Sequence, residues 1–173
     1  MDNLISDNQY SRLNNKGVSL VELIVVVLIM SILVSGAVMS VMIIHDANVG
    51  AASDKLEAML SSTRKTSIAR EADTVKLRLQ IESDKCYAVV YLKNESGEWE
   101  EADREKLGST DIVYKVIKTD GLELTVSESS AVEFSFMKSN GSLKEDYKQI
   151  VLEGSKTKTI TVIKETGRCL ADN

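Results

Sequence analysis

The hydrophobic pattern divides the chain into a polar start, one long apolar run and a longer segment of alternating positions. Residues 1–17 are polar and show no apolar periodicity. No residue from Leu23 to Ile44 carries a formal charge. A helix of that length spans about 33 Å, which is enough to cross the roughly 30 Å hydrocarbon core of a membrane. The pattern therefore predicts a transmembrane helix over 23–44.

The helical pattern continues after the apolar run. Apolar or small residues recur there at helical spacing, namely Ala52, Leu56, Met59, Leu60 and Thr63. Charged residues such as Asp54 and Arg64 fall on the other faces. This spacing predicts an amphipathic stem over 45–70 whose apolar side packs on the domain that follows.

From Thr74 onward the hydrophobic period changes to two, which is typical of strands. The segment 75–81 alternates strictly and predicts a half-buried strand, whereas 86–93 is apolar on both faces and predicts a more interior one. The segment 98–109 is charged and irregular, and we expect a surface loop with Trp99 turned inward.

Alternating segments and turn residues continue to the C-terminus. The segments 112–118 and 122–126 flank Asp120–Gly121 and predict a hairpin. Further strands are expected around Phe134, over 150–152 and over 159–163. One-sided alternation is typical of antiparallel sheets with one solvated face. The predicted fold class is therefore α+β, with a long N-terminal helix, transmembrane in its first half, and an antiparallel β domain over 71–173.

Glu22 stands at the start of the apolar run, where a simple membrane anchor needs no charge. A carboxylate in a membrane segment is costly and usually has a partner or a function. A cut between Gly17 and Val18 would create an amine four residues before Glu22, about 6 Å away along a helix and on the same face. That amine would be a counter-charge for Glu22, in its own chain or in a neighbour.

The segment 16–22, KGVSLVE, and the apolar run after it resemble the processing signature of type IV prepilins and of the pseudopilins of type II secretion and competence systems. The resemblance implies that a prepilin peptidase cuts after Gly17, which follows the basic Lys16. It also implies that Val18 becomes an N-methylated terminus and that Glu22 neutralises the terminal amine of an adjacent subunit. Residues 1–17 would be a leader peptide, and 18–70 the helical stem of a pilin-like lollipop.

Two features bear on the kind of subunit. Val18 stands where the family often has phenylalanine or methionine, a departure that concerns methylation rather than cleavage. The chain has no proline, whereas major pilins commonly carry one near the position of Met39. The strand order of the last third, ending in Gly167–Arg168, resembles the H-type pseudopilin and FimT-like minor pilin group. A minor subunit is therefore expected rather than a major one.

The charges around the apolar run predict the orientation of the chain. Arg12 and Lys16 precede the run, and basic residues favour the cytoplasmic side. We expect the N-terminus in the cytoplasm and the β domain outside, first in the cell membrane and then in a cell-surface or periplasmic filament. A secretory signal peptide cut near Gly50–Ser53 is the rival interpretation, but its apolar region usually has only about 7–15 residues.

Cys86 and Cys169 both fall in the part expected outside the cytoplasm, where a disulfide can persist. The sequence leaves open whether they pair or remain two buried thiols, because sequence spacing says nothing about their geometry. Their spacing fits no zinc motif, and the single histidine, His45, has no ligand-like neighbours. We therefore expect no metal site.

Charge and motifs argue against the other function classes. The formal net charge is −5, and acidic residues largely offset the cations of the C-terminal tail. DNA is therefore an unlikely partner by sequence, because phosphate contacts need several unopposed cations. No nucleophile elbow or phosphate-cradling glycine loop is evident, and no general base stands out, so neither enzymatic activity nor a cofactor is expected.

The predicted function is a structural subunit of a type IV pilus-like filament: a pilus, a type II secretion pseudopilus or a competence pilus. Its expected partners are prepilin peptidase, other pilin or pseudopilin subunits and the membrane. The alternative is a single-pass membrane-anchored protein whose external β domain binds a ligand such as DNA. That protein would need neither cleavage at Gly17 nor a carboxylate at Glu22.

Overall fold

The computed structural model describes residues 19–109 and 111–172, without the side chains of 36–47 and 109. One helix, α1, precedes nine strands in this part of the chain. The elements are α1 Leu20–Ala69, β1 Val75–Glu82, β2 Lys85–Lys93, β3 Trp99–Ser109, β4 Val113–Lys118, β5 Glu123–Thr125, β6 Val132–Phe134, β7 Tyr147–Glu153, β8 Thr157–Ile163 and β9 Arg168–Ala171. The α+β class and the antiparallel sheets predicted from sequence are confirmed.

The chain forms two compact units, residues 1–39 and residues 40–173. The described part of the first unit is the beginning of α1, and the second unit contains the rest of α1 and all nine strands. In the part of the chain that the structure describes, no helix is both long enough and apolar enough to cross a membrane.

The first sheet has the strand order β3-β2-β1-β6, and every neighbouring pair is antiparallel. The hairpin between β1 and β2 turns through Ser83 and Asp84, whose φ angles are 47° and 61°. Two residues with positive φ are what a tight hairpin matched to the strand twist requires. As predicted, β2 is an interior strand.

The second sheet has the order β5-β4-β7-β8-β9, again with antiparallel neighbours. The predicted hairpin at Asp120–Gly121 joins β4 to β5, and Gly121 has a φ of 89°. The Asp120 carboxylate accepts the backbone N–H of Leu122 at 2.9 Å, which closes the turn. The short strand β9 was not predicted.

The core of the second unit lies against one side of α1. Its helix residues are buried at helical spacing: Val49, Ala52, Leu56, Met59 and Leu60. They form one hydrophobic cluster with side chains from both sheets, including Leu77, Phe134 and Ile150. The apolar stripe on the helix is thus the surface that binds the sheets, as its periodicity predicts.

The predicted loop over 98–109 is wrong, because this segment is the edge strand β3. Trp99 is 39% exposed and is not turned into the core. The strand lacks hydrophobic alternation because most side chains on each of its two faces are exposed to solvent. Charged side chains are common on edge strands, where they discourage pairing with other chains.

Two glycine turns meet at the helix. The Arg64 Nε donates hydrogen bonds to the carbonyl oxygens of Gly141 at 3.1 Å and Thr166 at 2.6 Å. Gly141 and Gly167 both have positive φ, and a Cβ on Gly167 would lie 1.9 Å from the Gly141 oxygen. Only glycine at position 167 permits this close approach.

We predict that Gly167→Ala destabilises the second unit by about 3–5 kcal/mol or prevents its folding, because it adds a backbone clash to the strain of a positive φ. Gly121→Ala is the matched control, since Gly121 also has positive φ but nothing lies within 4 Å of its added Cβ. Its expected cost is about 1–2 kcal/mol. Urea denaturation measured by tryptophan fluorescence gives both values, and equal costs would contradict the prediction.

Candidate functional site

The first turn of α1 contains the residue that the sequence singled out for assembly. The helix begins at Leu20, and the Ser19 carbonyl accepts the Leu23 N–H at 3.0 Å, which places Ser19 at the N-cap. Glu22 is the third helical residue and is exposed. An acidic residue in the first turn interacts favourably with the positive end of the helix dipole.

The spacing of Ser19 and Glu22 is that of a capping box, in which Ser or Thr at the N-cap is followed three residues later by Glu or Gln. The spacing Ser-x-x-Glu gives Glu22 a local explanation in addition to pairing with an amine. Glu22 can therefore stabilise the helix start independently of any amine.

The helix surface after Glu22 is apolar and uncovered. Every described side chain from Leu20 to Ser35 is exposed, and the exposed fraction of the large apolar ones ranges from 73% at Leu20 to 46% at Val26. A helix that is apolar on all sides is normally buried, either in a membrane or among other protein elements. This surface therefore needs lipid or other helices to cover it.

Two serines interrupt the apolar surface without leaving free hydroxyl protons. The Ser31 hydroxyl donates to the Val27 carbonyl and the Ser35 hydroxyl donates to the Ser31 carbonyl, each at 2.7 Å. Such bonds to the preceding turn satisfy the hydroxyl within its own helix. These serines are thus compatible with an apolar environment.

The predicted processing residues Lys16, Gly17 and Val18 lie outside the described residues. The structure therefore shows Glu22 but not the amine proposed to pair with it. The side chain of His45 is likewise outside the described part. Among the described residues, no group of three or more His, Cys, Asp or Glu side chains is arranged to hold a metal ion.

Cys86 and Cys169 are both free thiols in the structure, which contains no disulfide between them. They lie on different sheets: Cys86 opposite Ile81 in β1, and Cys169 opposite Val162 in β8. Burial raises the pKa of each thiol to about 12, although the neighbouring Tyr114 hydroxyl lowers that of Cys86.

The outer face of the first sheet carries an interlocked layer of cations and aromatic rings. The Glu133 carboxylate accepts hydrogen bonds from Lys76 at 3.0 Å and from the Arg78 Nε at 2.9 Å. Partial burial acts to raise the pKa of Glu133, but these two cations hold it below its usual range. The Lys76 Nζ also lies 4.6 Å from the Trp99 ring centroid.

This layer brings together residues from β1, β2, β3 and β6, so local motifs could not reveal it. Its members cover each other: Arg78 lies 5.2 Å from the Tyr91 ring, and Arg104 lies 5.0 Å from the Tyr87 ring. Cations already occupy these ring faces, so we interpret the layer as the cover of a half-solvated sheet.

Residues 12–38 match the family model described as the prokaryotic N-terminal methylation motif. The motif indicates a type IV pilin-like, prepilin-type protein. The match contains the processing segment, Glu22 and much of the apolar run, and it ends before the β domain. Comparison with curated proteins and with solved structures found no match. The finer likeness to the H-type and FimT-like group is not supported by a motif that ends at residue 38.

We predict that the two thiols make stability fall at alkaline pH. The folded thiols stay protonated because their pKa is raised, whereas the unfolded chain loses these protons above about pH 8.5. The free energy of unfolding should therefore fall above that pH, by up to about 1.4 kcal/mol per pH unit for each thiol.

Urea denaturation between pH 7 and pH 10 measures this slope. A variant with Cys86→Ala and Cys169→Ala is the control, and its free energy of unfolding should not fall between about pH 8.5 and pH 10. Native protein should also resist iodoacetamide at both positions until it is denatured. A change in electrophoretic mobility on reduction would contradict the prediction, because it would show a disulfide.

Proposed function

We propose that this chain is a non-enzymatic, structural subunit, and a minor one, of a type IV pilus-like filament in a pilus, type II secretion or competence system. It is made as a prepilin and cleaved after Gly17. The observation that carries the proposal is the methylation motif over 12–38, the described part of which is an apolar helix exposed on every side.

The exposed apolar helix suits a protein that passes from a membrane to a filament. Covering a leucine or valine side chain contributes about 1.5–3 kcal/mol, whether the cover is lipid or protein. Lipid tails are as apolar as leucine, so the hydrophobic effect alone does not drive a helix out of the membrane into a bundle. Close packing and polar contacts between subunits must therefore supply the preference.

Glu22 is the polar group available for that preference. It is the single formal charge between Leu20 and Ser35. Pairing its carboxylate with the new amine of Val18 on an adjacent subunit neutralises both charges as the two helices come together. The pairing requires the cut after Gly17, so processing would make the subunit competent for assembly.

The choice of a minor subunit, with its N-terminus in the cytoplasm before assembly, rests on the sequence. It follows from the missing proline, the likeness of the last third to minor pilins, and the basic residues Arg12 and Lys16. Methylation of Val18 belongs to the same proposal.

We predict that coexpression with an active prepilin peptidase yields a chain that begins at Val18, with the mass of one added methyl group. Mass spectrometry of the N-terminal peptide from membrane extracts measures this. The same extract without the peptidase is the control and should retain Met1. Retention of Met1 with the peptidase present, or a start near Ser53, would refute cleavage after Gly17 and leave the single-pass anchor as the better explanation.

We predict that Glu22→Gln and Glu22→Ala both lower incorporation into filaments about tenfold or more, because a charge-assisted hydrogen bond contributes about 1.5–3 kcal/mol. Membrane insertion should be unchanged, since the apolar run is intact. Immunoblots of sheared filaments and of membranes measure both quantities.

Glutamine distinguishes pairing from capping, since it serves in a capping box but carries no charge. Incorporation of the glutamine variant at the wild-type level would show that Glu22 acts only as a cap. Asp54→Asn is the matched control, because Asp54 is an exposed carboxylate further along the same helix.

A further inference from the structure

An open apolar groove lies beside the C-terminal end of α1. It has a volume of about 600 Å³ and is lined by Ile68, Ala72, Asp73, Met137, Lys138, Ser139 and Lys144. Ile68 is 39% exposed and Met137 is 44% exposed. We call this the α1-end groove. Methionine is flexible enough to adapt to different apolar partners.

A second, more polar pocket adjoins this groove. It has a volume of about 360 Å³ and is lined by Ala69, Arg70, Glu71, Thr74, Lys93 and Lys138. Lys138 lines both spaces, so they adjoin at this residue. We call the second space the cation pocket.

The cations of this surface differ in whether they are already neutralised. Lys144 forms an ion pair with Asp73. Arg70, Lys93 and Lys138 form no ion pair with any residue that the structure describes, and Glu71 is the carboxylate in the lining of the cation pocket. The chain as a whole has a net charge of −5. A local excess of unpaired cations on an acidic protein attracts negatively charged partners.

Trp99, the only tryptophan of the chain, lines neither space but lies near one residue of the cation pocket. The Lys93 Nζ lies 5.7 Å from the centroid of the Trp99 ring. Among the lining residue types, methionine and arginine are enriched at protein interfaces. Met137 and Arg70 are the lining residues that belong to these types.

We propose that the α1-end groove and the cation pocket together bind an acidic segment of a partner protein that carries one protruding apolar side chain. The apolar side chain enters between Ile68 and Met137. Carboxylates on either side of it pair with Arg70, Lys93 and Lys138. Charge complementarity and the adjoining apolar groove both favour this occupant.

Nucleic acid fits the surface less well. Three cations neutralise few phosphates, and an aliphatic groove gives a base no ring on which to stack. The Trp99 ring does not offer a base a free stacking face either, because Lys76 and Lys93 already lie against it.

A lipid surface also fits less well, an argument that rests on the proposed function. With residues 23–44 in the membrane, the helix rises about 36 Å between Ile44 and Ile68. That rise would hold the α1-end groove away from the lipid headgroups.

The test uses the full, uncleaved chain in detergent micelles, so it does not depend on processing after Gly17 or on Glu22. The probe is a capped peptide with one leucine between two pairs of glutamates, titrated while Trp99 fluorescence is recorded at low salt. We expect a saturable change that weakens as salt is added. Replacing the leucine by glycine should weaken binding about tenfold, and replacing the glutamates by lysines should abolish it.

Variants of the protein locate the site. Lys138→Glu and Arg70→Glu should each weaken binding at least about tenfold. Lys148→Glu is the matched control, because it makes the same charge change at an exposed position on β7 and should bind like the wild type. Met137→Ser should weaken binding of the leucine peptide but not of the glycine peptide. Far-ultraviolet circular dichroism checks that each variant is folded, and Lys138→Ala replaces any that is not.

Several results would overturn the proposal. Absence of a saturable change at millimolar peptide, or equal binding of the leucine and glycine peptides, would exclude the apolar anchor. Equal loss in Lys148→Glu would show a response to net charge alone. Stronger binding of single-stranded oligonucleotides or of anionic phospholipid vesicles would assign the surface to a different partner.

Discussion

The structure depends on how the apolar surface of α1 is covered. From Leu20 to Ser35 every described side chain is exposed, so nothing within the described chain protects this segment from water. From Val49 onward the apolar residues narrow to one stripe, which the two sheets cover. A single helix thus has two parts: the apolar side chains of the first part need cover from other molecules, whereas those of the second part are covered by its own chain.

The β-rich unit is held to the helix by close contacts that leave little freedom. Arg64 donates from one nitrogen to two carbonyl oxygens in separate turns, and Gly167 approaches Gly141 more closely than any side chain allows. The turns beside the end of α1 are therefore fixed by the helix itself. This rigidity matters for the α1-end groove, because Met137 lies just before the same turn and its backbone carbonyl accepts the Gly141 N–H.

Sequence reasoning succeeded where the relevant pattern is local. Helical spacing identified the stripe around Leu56, and a period of two identified β1. The segment that matches the methylation motif is also continuous. It failed on β3, whose charged side chains show no hydrophobic alternation because most are solvated on both faces. It also could not find the cation pocket, since Arg70, Lys93 and Lys138 are brought together only by the fold. The two positive φ angles at Ser83 and Asp84 are set by pairing of the flanking strands rather than by a typical turn sequence.

Under the proposed cleavage after Gly17, the two explanations of Glu22 would combine. A cut after Gly17 places the new amine on Val18, directly before the N-cap Ser19. A positive charge there adds to the positive end of the helix dipole and opposes helix formation in the first turn. The carboxylate of Glu22 offsets both charges, first within its own helix. If a neighbouring helix packs alongside, the Glu22 carboxylate can pair with the neighbour's terminal amine instead of the amine of its own chain. The carboxylate then stays paired throughout the change. Under the proposed cleavage and assembly, a glutamate at the third helical position would therefore serve the single subunit and the filament by the same electrostatic interaction.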